Sequence, residues 1–378
     1  MPRKGHHMKT QSLSWLVLPV LLLLGGCPKS GGGDGGFQGT ASVLYTANDG
    51  SNTISGFTIG AGGALSATSP ATVGTNNTEW LTVSSNGQLL YASNQGNHTI
   101  SGFTINGITG VLTLLGTPIA VPGTNPSPRG ITITPNQQFL YVANSATNTV
   151  AGFAIGAGGV LTSTAQGTIA TGGTLARGIA VSPNGQFLYV ANSGNNTISG
   201  FIIGTGGALT STGTVSTGAG SSPEGLAISP NGAFLFAVYQ GTDRVAAFSI
   251  GGGGALTPAT PQPTFSTGGG TSPQRITITP TGSFLYVTNS AANEITAFTI
   301  GAGGQLTPIG SNIDTGAGTA PVGITIDPSG QFLYVANSGM NEVAGFRIGG
   351  GGTLTPTTPA SFSVLPNAPI GIATPGRP

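Results

Sequence analysis

The sequence predicts an all-β fold, a seven-bladed β-propeller with four antiparallel strands per blade and a ring closed by its C-terminal strand. Three observations predict it. A block of the form Phe-Leu-Tyr-Val-Ala-Asn recurs with its aromatic residue at Tyr45, Tyr91, Tyr141, Tyr189, Phe236, Tyr286 and Tyr334, at spacings of 46, 50, 48, 47, 50 and 48 residues. Repeats of ~40–50 residues are the signature of propeller blades. Each repeat holds four strand-like blocks, and no segment keeps a helical period. The two ends of the chain are also incomplete in complementary ways.

The repeat beginning at Gly178 shows the four blocks. Gly178 to Ser182 is a short apolar run. Pro183-Asn184-Gly185 is a tight-turn signal, since Asn-Gly accepts the positive φ angles of a two-residue hairpin. Phe187 to Asn192 is aromatic and β-branched, as strands are. Ser193 to Asn196 turns, Thr197 to Ile203 is a third strand, Gly204 to Gly207 turns again, and Ala208 to Val215 is a weaker fourth strand. The first repeat lacks its opening block before Tyr45, and Pro369 to Thr374 supplies that block at the other end. A linear β-solenoid would share the period but not this pair of complementary ends.

The N-terminus reads as an export signal. Arg3, Lys4 and Lys9 form a basic region, and Leu13 to Leu24 form an apolar one. That apolar run is shorter than the ~20 residues a membrane-spanning helix needs. It ends in Leu24-Gly25-Gly26-Cys27, which resembles the lipobox of bacterial lipoproteins. Residues 1–26 are therefore expected to be a lipoprotein signal peptide, with lipid on Cys27, the only cysteine of the chain. Residues 27–40 are Gly-rich and read as a flexible tether, and residues 41–378 as the propeller. Translation can start at Met1 or at Met8. The expected location is the bacterial cell envelope. Pro28 after the lipidated cysteine resembles the sorting signal for an outer membrane, where the host has one.

Charge is scarce at 5% of residues, with 67 glycines among 378 positions and a net charge of +1. Nucleic-acid binding needs clustered Lys and Arg, and no such cluster exists, so no nucleic-acid partner is expected. From Phe37 onward there are 14 charged residues. Aligned on the repeat, 11 of them fall on one face, here called the top: Asp49, Glu79, Arg129, Arg177, Glu224, Asp243, Arg244, Arg275, Glu294, Asp314 and Glu342. Asp327, Arg347 and Arg377 map to the opposite face.

The residue just before the glycine of each first strand is expected at the mouth of the central channel. Around the ring it is Ile370, Glu79, Arg129, Arg177, Glu224, Gln274 and Val322. Arginine offers a fixed fork that holds a carboxylate or phosphate by two hydrogen bonds, and a partly desolvated glutamate can act as a general base. These residues form a candidate anionic-ligand pocket, which Arg275 can join from one position further in. Alternatively they are Arg–Glu pairs that neutralise one another around a water-filled channel. Blade five departs from the repeat at Tyr239, Asp243 and Arg244, and blade two at Glu79, Trp80 and His98, so these blades are candidates for specific contacts. His98 stands in a turn column otherwise filled by Asn or Asp, where a local hydrogen bond suffices. No histidine cluster or thiolate pair suggests a metal, and no cofactor is expected. The Gly-Ala-Gly-Gly hairpins lack the Lys and helix of phosphate loops.

The blocks Leu140-Tyr141-Val142-Ala143-Asn144, Leu188-Tyr189-Val190-Ala191-Asn192, Leu285-Tyr286-Val287-Thr288-Asn289 and Leu333-Tyr334-Val335-Ala336-Asn337 resemble the YVTN repeat. The chain from 41 to 374 is similar to the lactonase-like seven-bladed propellers, a family that includes 6-phosphogluconolactonase and fungal muconate-lactonising enzymes. The resemblance implies the propeller fold and, at the channel, a Pro-Arg-His-like segment with further His, Arg and Glu. Here Pro128-Arg129-Gly130 keeps the arginine but has glycine in place of histidine, and no first strand carries a histidine.

The expected function is accordingly an envelope-anchored binding or scaffold module that acts through its top face. Its partner would be a protein or a small anionic ligand, and the chain a monomer. The alternative is a lactonase-like hydrolase or isomerase acting on a small anionic lactone or sugar acid. Its catalytic candidates are Arg129, Arg177, Glu79 and Glu224, with Gln274, Arg275, Tyr239, Asp243 and Arg244 as further ligand contacts.

Overall fold

The computed structural model describes residues 42–259, 264–364 and 368–375. The expected signal peptide, Cys27 and the tether lie outside the described residues, as does Arg377. The described strands form seven antiparallel sheets, one for each sequence repeat, so the chain is a seven-bladed β-propeller. Blade four follows its predicted blocks closely, with Ala176–Val181, Phe187–Asn192, Thr197–Ile203 and Leu209–Ser216 paired in that order. The outermost strand, read from sequence as the weak one, is split in three blades. In blade five Leu256–Pro258 and Thr264–Ser266 both pair with Arg244–Ile250.

Blade one is assembled from both ends of the chain. Its sheet runs Leu65–Gly74, Thr53–Ile59, Val43–Asn48, Pro369–Ala373, with Tyr45 opposite Ala373 and Ala47 opposite Gly371. The C-terminal strand is therefore the innermost strand of the first blade, as the incomplete ends predict. A closed ring leaves no gap between first and last blades.

The Phe-Leu-Tyr block explains the glycine content. In blade four the Tyr189 hydroxyl donates to the carbonyl of Gly254 in blade five at 2.8 Å. Gly254 has φ +79°, and a Cβ there would sit 2.5 Å from the Phe187 ring. Only glycine meets both demands, a left-handed backbone and an aromatic face against its Cα. The same tyrosine bond recurs from Tyr45 to Gly110, Tyr91 to Gly159, Tyr141 to Gly207, Tyr286 to Gly352 and Tyr334 to Gly63. The hairpin glycines thus belong to the blade interfaces. The Asn that ends each block is structural too: Asn192 is fully buried and donates to Thr197 and Ser199 hydroxyls at 3.1 and 2.7 Å.

Candidate functional site at the channel mouth

The innermost strands converge on the central channel, and their glycine column records how tightly. A Cβ on Gly225 would lie 2.9 Å from the Gln274 carbonyl oxygen, and one on Gly323 would lie 2.6 Å from that of Ile370. Gly130, Gly178 and Gly371 likewise lie against the carbonyls of Arg177, Glu224 and Glu79. The residue before each glycine therefore comes close to its counterpart on the next blade, which gathers the charged column at the mouth.

Two blades break the glycine column, with Trp80 in blade two and Arg275 in blade six. Each break has a companion on the neighbouring strand. The Ser93 hydroxyl donates to the Arg129 carbonyl at 2.6 Å, and the Thr288 hydroxyl donates to the Val322 carbonyl at 2.7 Å. In the other blades this second-strand position is Ala47, Ala143, Ala191, Val238 or Ala336, with no hydroxyl to give. The carbonyl that elsewhere rests on a glycine is here held by a hydroxyl.

The charges form two linked groups. Arg129 Nη1 lies 2.9 Å from Glu79 Oε2. Arg177 Nη1 lies 2.7 Å from Glu224 Oε1, and Arg275 Nη1 lies 3.8 Å from Glu224 Oε2. Glu224 is almost wholly buried, whereas the Glu79 side chain keeps 16% of its surface exposed. Burial raises both carboxyl pKa values above the ordinary 4.5, outweighing the lowering by Arg129 and Arg275 at Glu79 and by Arg275 and Arg177 at Glu224. Asp49 adds a smaller upward push on Glu79. Burial also holds Arg275 down to about 10, opposed by Glu224 and Glu79, so it remains a cation at neutral pH.

Gln95 completes the first group and was not singled out from sequence. Its amide donates to Glu79 Oε1 at 3.0 Å and accepts from Arg129 Nη2 at 3.3 Å and from the Ser127 hydroxyl at 2.8 Å. The available signal was positional, because Gln95 replaces the serine seen at Ser145, Ser193, Ser290 and Ser338.

Arg275 and Trp80 come from blades three steps apart, the widest separation a ring of seven allows, and meet across the channel. The guanidinium carbon lies 3.8 Å from the centre of the Trp80 ring, a cation–π contact. Both residues line a cavity of about 150 Å³ together with Leu81, Ile131, Leu226, Ile276, Ile324 and Ile372.

The structure thus brings Glu79, Arg129, Arg177, Glu224 and Arg275 together and places the remaining candidates elsewhere. Gln274 donates to the Ser290 and Ser272 hydroxyls at 3.1 and 3.4 Å. Tyr239 is buried in the core of blade five. Asp243 is a loop cap: its carboxylate accepts from the backbone N–H of Gly270 at 2.7 Å and Ser272 at 2.8 Å. Asn52, Asn148, Asn196, Asn293 and Asn341 make the corresponding bond in their blades, all at positive φ, and His98 shares that backbone conformation. Arg244 is exposed and donates to Thr264 at 3.3 Å.

The family model for lactonase, a seven-bladed β-propeller, matches residues 37–126, 124–268 and 251–364. No curated protein matches the chain. Among solved structures, the periplasmic gluconolactonase PpgL of Pseudomonas aeruginosa is similar at TM-score 0.75 and 20% identity, covering 90% of this chain and 100% of its own. A candidate 6-phosphogluconolactonase from Bacteroides uniformis aligns at TM-score 0.77 and 22% identity over 89% of this chain and 100% of its own. Virginiamycin B lyase from Staphylococcus aureus is more distant, at TM-score 0.58 and 18% identity over 78% of this chain and 88% of its own. These identities speak for the shared fold alone, while the family match spans most of the sequence: the chain belongs to the lactonase family of seven-bladed β-propellers.

Proposed function

We propose that the chain is a lactonase-like hydrolase that opens a small anionic lactone at the top mouth of its channel. The observation that carries this reading is the convergence of two carboxylates of raised pKa with three arginines at one mouth. Glu79 is the general base, because it is the carboxylate that solvent reaches. It takes a proton from an attacking water, which adds to the lactone carbonyl. The ring C–O bond then breaks and the leaving oxygen is protonated, giving a hydroxy acid. Arg129 stabilises the negative charge that develops on the carbonyl oxygen. Glu224, buried between Arg177 and Arg275, holds those two cations in place for the substrate's own anionic group.

One observation favours a second reading, a binding module without turnover. No innermost strand carries a histidine, and each carboxylate already has an arginine partner. A panel of small lactones decides between them. Turnover that disappears in Glu79→Gln while ligand binding survives supports the hydrolase. Binding without turnover supports the module, and neither binding nor turnover removes both.

The proposed setting is the cell envelope, with the chain exported and anchored by lipid on Cys27. Incorporation of labelled fatty acid into the expressed chain, lost in Cys27→Ala, is the expected result. Labelling that persists in the variant overturns the anchor.

A further inference from the structure

The cavity beneath the mouth bears on substrate class. Apart from Trp80 and Arg275, every side chain in its lining is aliphatic: Leu81, Ile131, Leu226, Ile276, Ile324, Ile370 and Ile372, with Gly225, Gly323 and Gly371 between them. The polar side-chain atoms it offers are the Arg275 guanidinium and the Trp80 indole N–H, which is buried without a partner among the described residues. The hydroxyls of a sugar acid would leave water here for few acceptors and donors, a costly exchange. A hydrocarbon segment would gain by the same transfer.

Arg275 is also the least committed cation of the mouth. Arg129 and Arg177 have carboxylate oxygens at 2.9 and 2.7 Å. Arg275 shares Glu224 with Arg177 and stands 3.8 Å from it. Its recorded hydrogen bond runs from Nη1 to the Gln274 carbonyl at 3.3 Å, while its Nε and Nη2 donate to no described residue. Stacking on Trp80 fixes the plane of the fork, and Thr288 accepts from the Arg275 backbone N–H at 3.2 Å. The paired departures in blades two and six, each with its hydroxyl companion, build this arrangement into the sequence.

We propose that the ligand is a small monoanion with an aliphatic body, its carboxylate on Arg275 and its hydrocarbon chain in the cavity below. The proposal rests on the mouth being the ligand site and narrows the substrate to alkyl-substituted lactone acids over polyhydroxylated ones. At about 150 Å³ the cavity admits one short arm of a ligand, since sites for whole drug-sized molecules start at ~300 Å³.

Hexanoate and gluconate are the probes, six-carbon monocarboxylates that differ in their hydroxyls. The full chain carries two tryptophans, Trp15 and Trp80, so Trp15→Phe leaves Trp80 as a sole fluorescent reporter beside Arg275. Hexanoate is expected to change Trp80 emission and to bind at least tenfold more tightly than gluconate. Arg275→Gln is expected to weaken hexanoate tenfold or more with an unchanged far-ultraviolet dichroism spectrum. The comparison of the two acids on the parent chain needs no folded variant. Equal or tighter binding of gluconate overturns the proposal. If hydroxylated lactones are nonetheless turned over, the hydrolase reading stands while the aliphatic class falls. If neither acid binds and no lactone is turned over, both fall.

Discussion

The hydroxyl of Tyr334 donates to the carbonyl of Gly63 at 2.9 Å, joining residues 271 positions apart and tying blade seven to blade one. Six blade interfaces carry this tyrosine bond, and the one between blades five and six does not, because Phe236 stands where the others have tyrosine. Tyr334→Phe should therefore cost about 1 kcal/mol, the net worth of a buried neutral hydrogen bond. The reverse change, Phe236→Tyr, should add a bond to Gly304 and stabilise by about 0.5–1.5 kcal/mol. Urea unfolding with an unchanged slope checks both. Opposite signs for either variant would mean that packing, not the hydroxyl, carries the interface.

Closure by the C-terminal strand makes a second prediction. Deleting residues 368–378 strips Val43–Asn48 of its inner partner, and Tyr45, Thr46 and Ala47 are fully buried in the intact ring. The exposed edge and lost core should consume most of the ~5–15 kcal/mol that such folds possess. A circular permutant that joins Thr374 to Ser42 and opens the Gly252-Gly253 hairpin should keep near-parental stability, because blade one then becomes continuous in sequence. A truncated chain as stable as the parent would show that the ring tolerates an open blade.

Gln95 yields a prediction about positioning. Its amide engages Glu79 Oε1 and Arg129 Nη2 together. Gln95→Leu keeps the side-chain size and removes both bonds. In the hydrolase reading this lowers kcat about tenfold, at the low end of the ~10²–10⁴-fold contribution of a placed general base. KM changes by less than threefold, since the substrate's anion is held elsewhere. A loss confined to KM would assign Gln95 to binding instead.

The fold was legible because its signal is redundant. Seven copies of one block, and one missing strand matched by one surplus strand, overdetermine a closed ring. The mouth column was legible for a related reason, since a repeat exposes whatever departs from it: Glu79, Arg129, Arg177, Glu224 and Arg275 stand where other blades have Ile370, Val322 or glycine. The same logic misplaced blade five's contribution. Asp243 departs from the Asn column in chemistry but not in role, for its carboxylate accepts the same backbone bond that Asn293 accepts one blade on. Gln95 escaped notice because a neutral amide carries no charge to mark it. The Trp80–Arg275 contact escaped because it joins blades 195 residues apart in sequence numbering (275 − 80), and pairing across a channel leaves no local pattern.

The buried carboxylates predict that stability and activity move in opposite directions with pH. Burial raises the folded-state pKa of Glu79 and Glu224, against an ordinary value of 4.5. In the window between the unfolded value and the raised one, the folded chain binds more protons than the unfolded chain. Stability must then fall as pH rises through that window. The contribution is fully present below the unfolded value and is lost once pH passes the folded pKa. The proposed base works only when ionised, so kcat/KM must rise through the raised pKa of Glu79. Glu79→Gln should flatten part of the stability slope and abolish the activity limb, while Glu224→Gln should flatten the remainder of the slope. Urea midpoints between pH 4 and 8, set beside kcat/KM over the same range, make the comparison. A stability slope that survives in the double variant Glu79→Gln/Glu224→Gln would place the titrating group outside the mouth, and an activity limb centred at or below the ordinary value would remove Glu79 as the base.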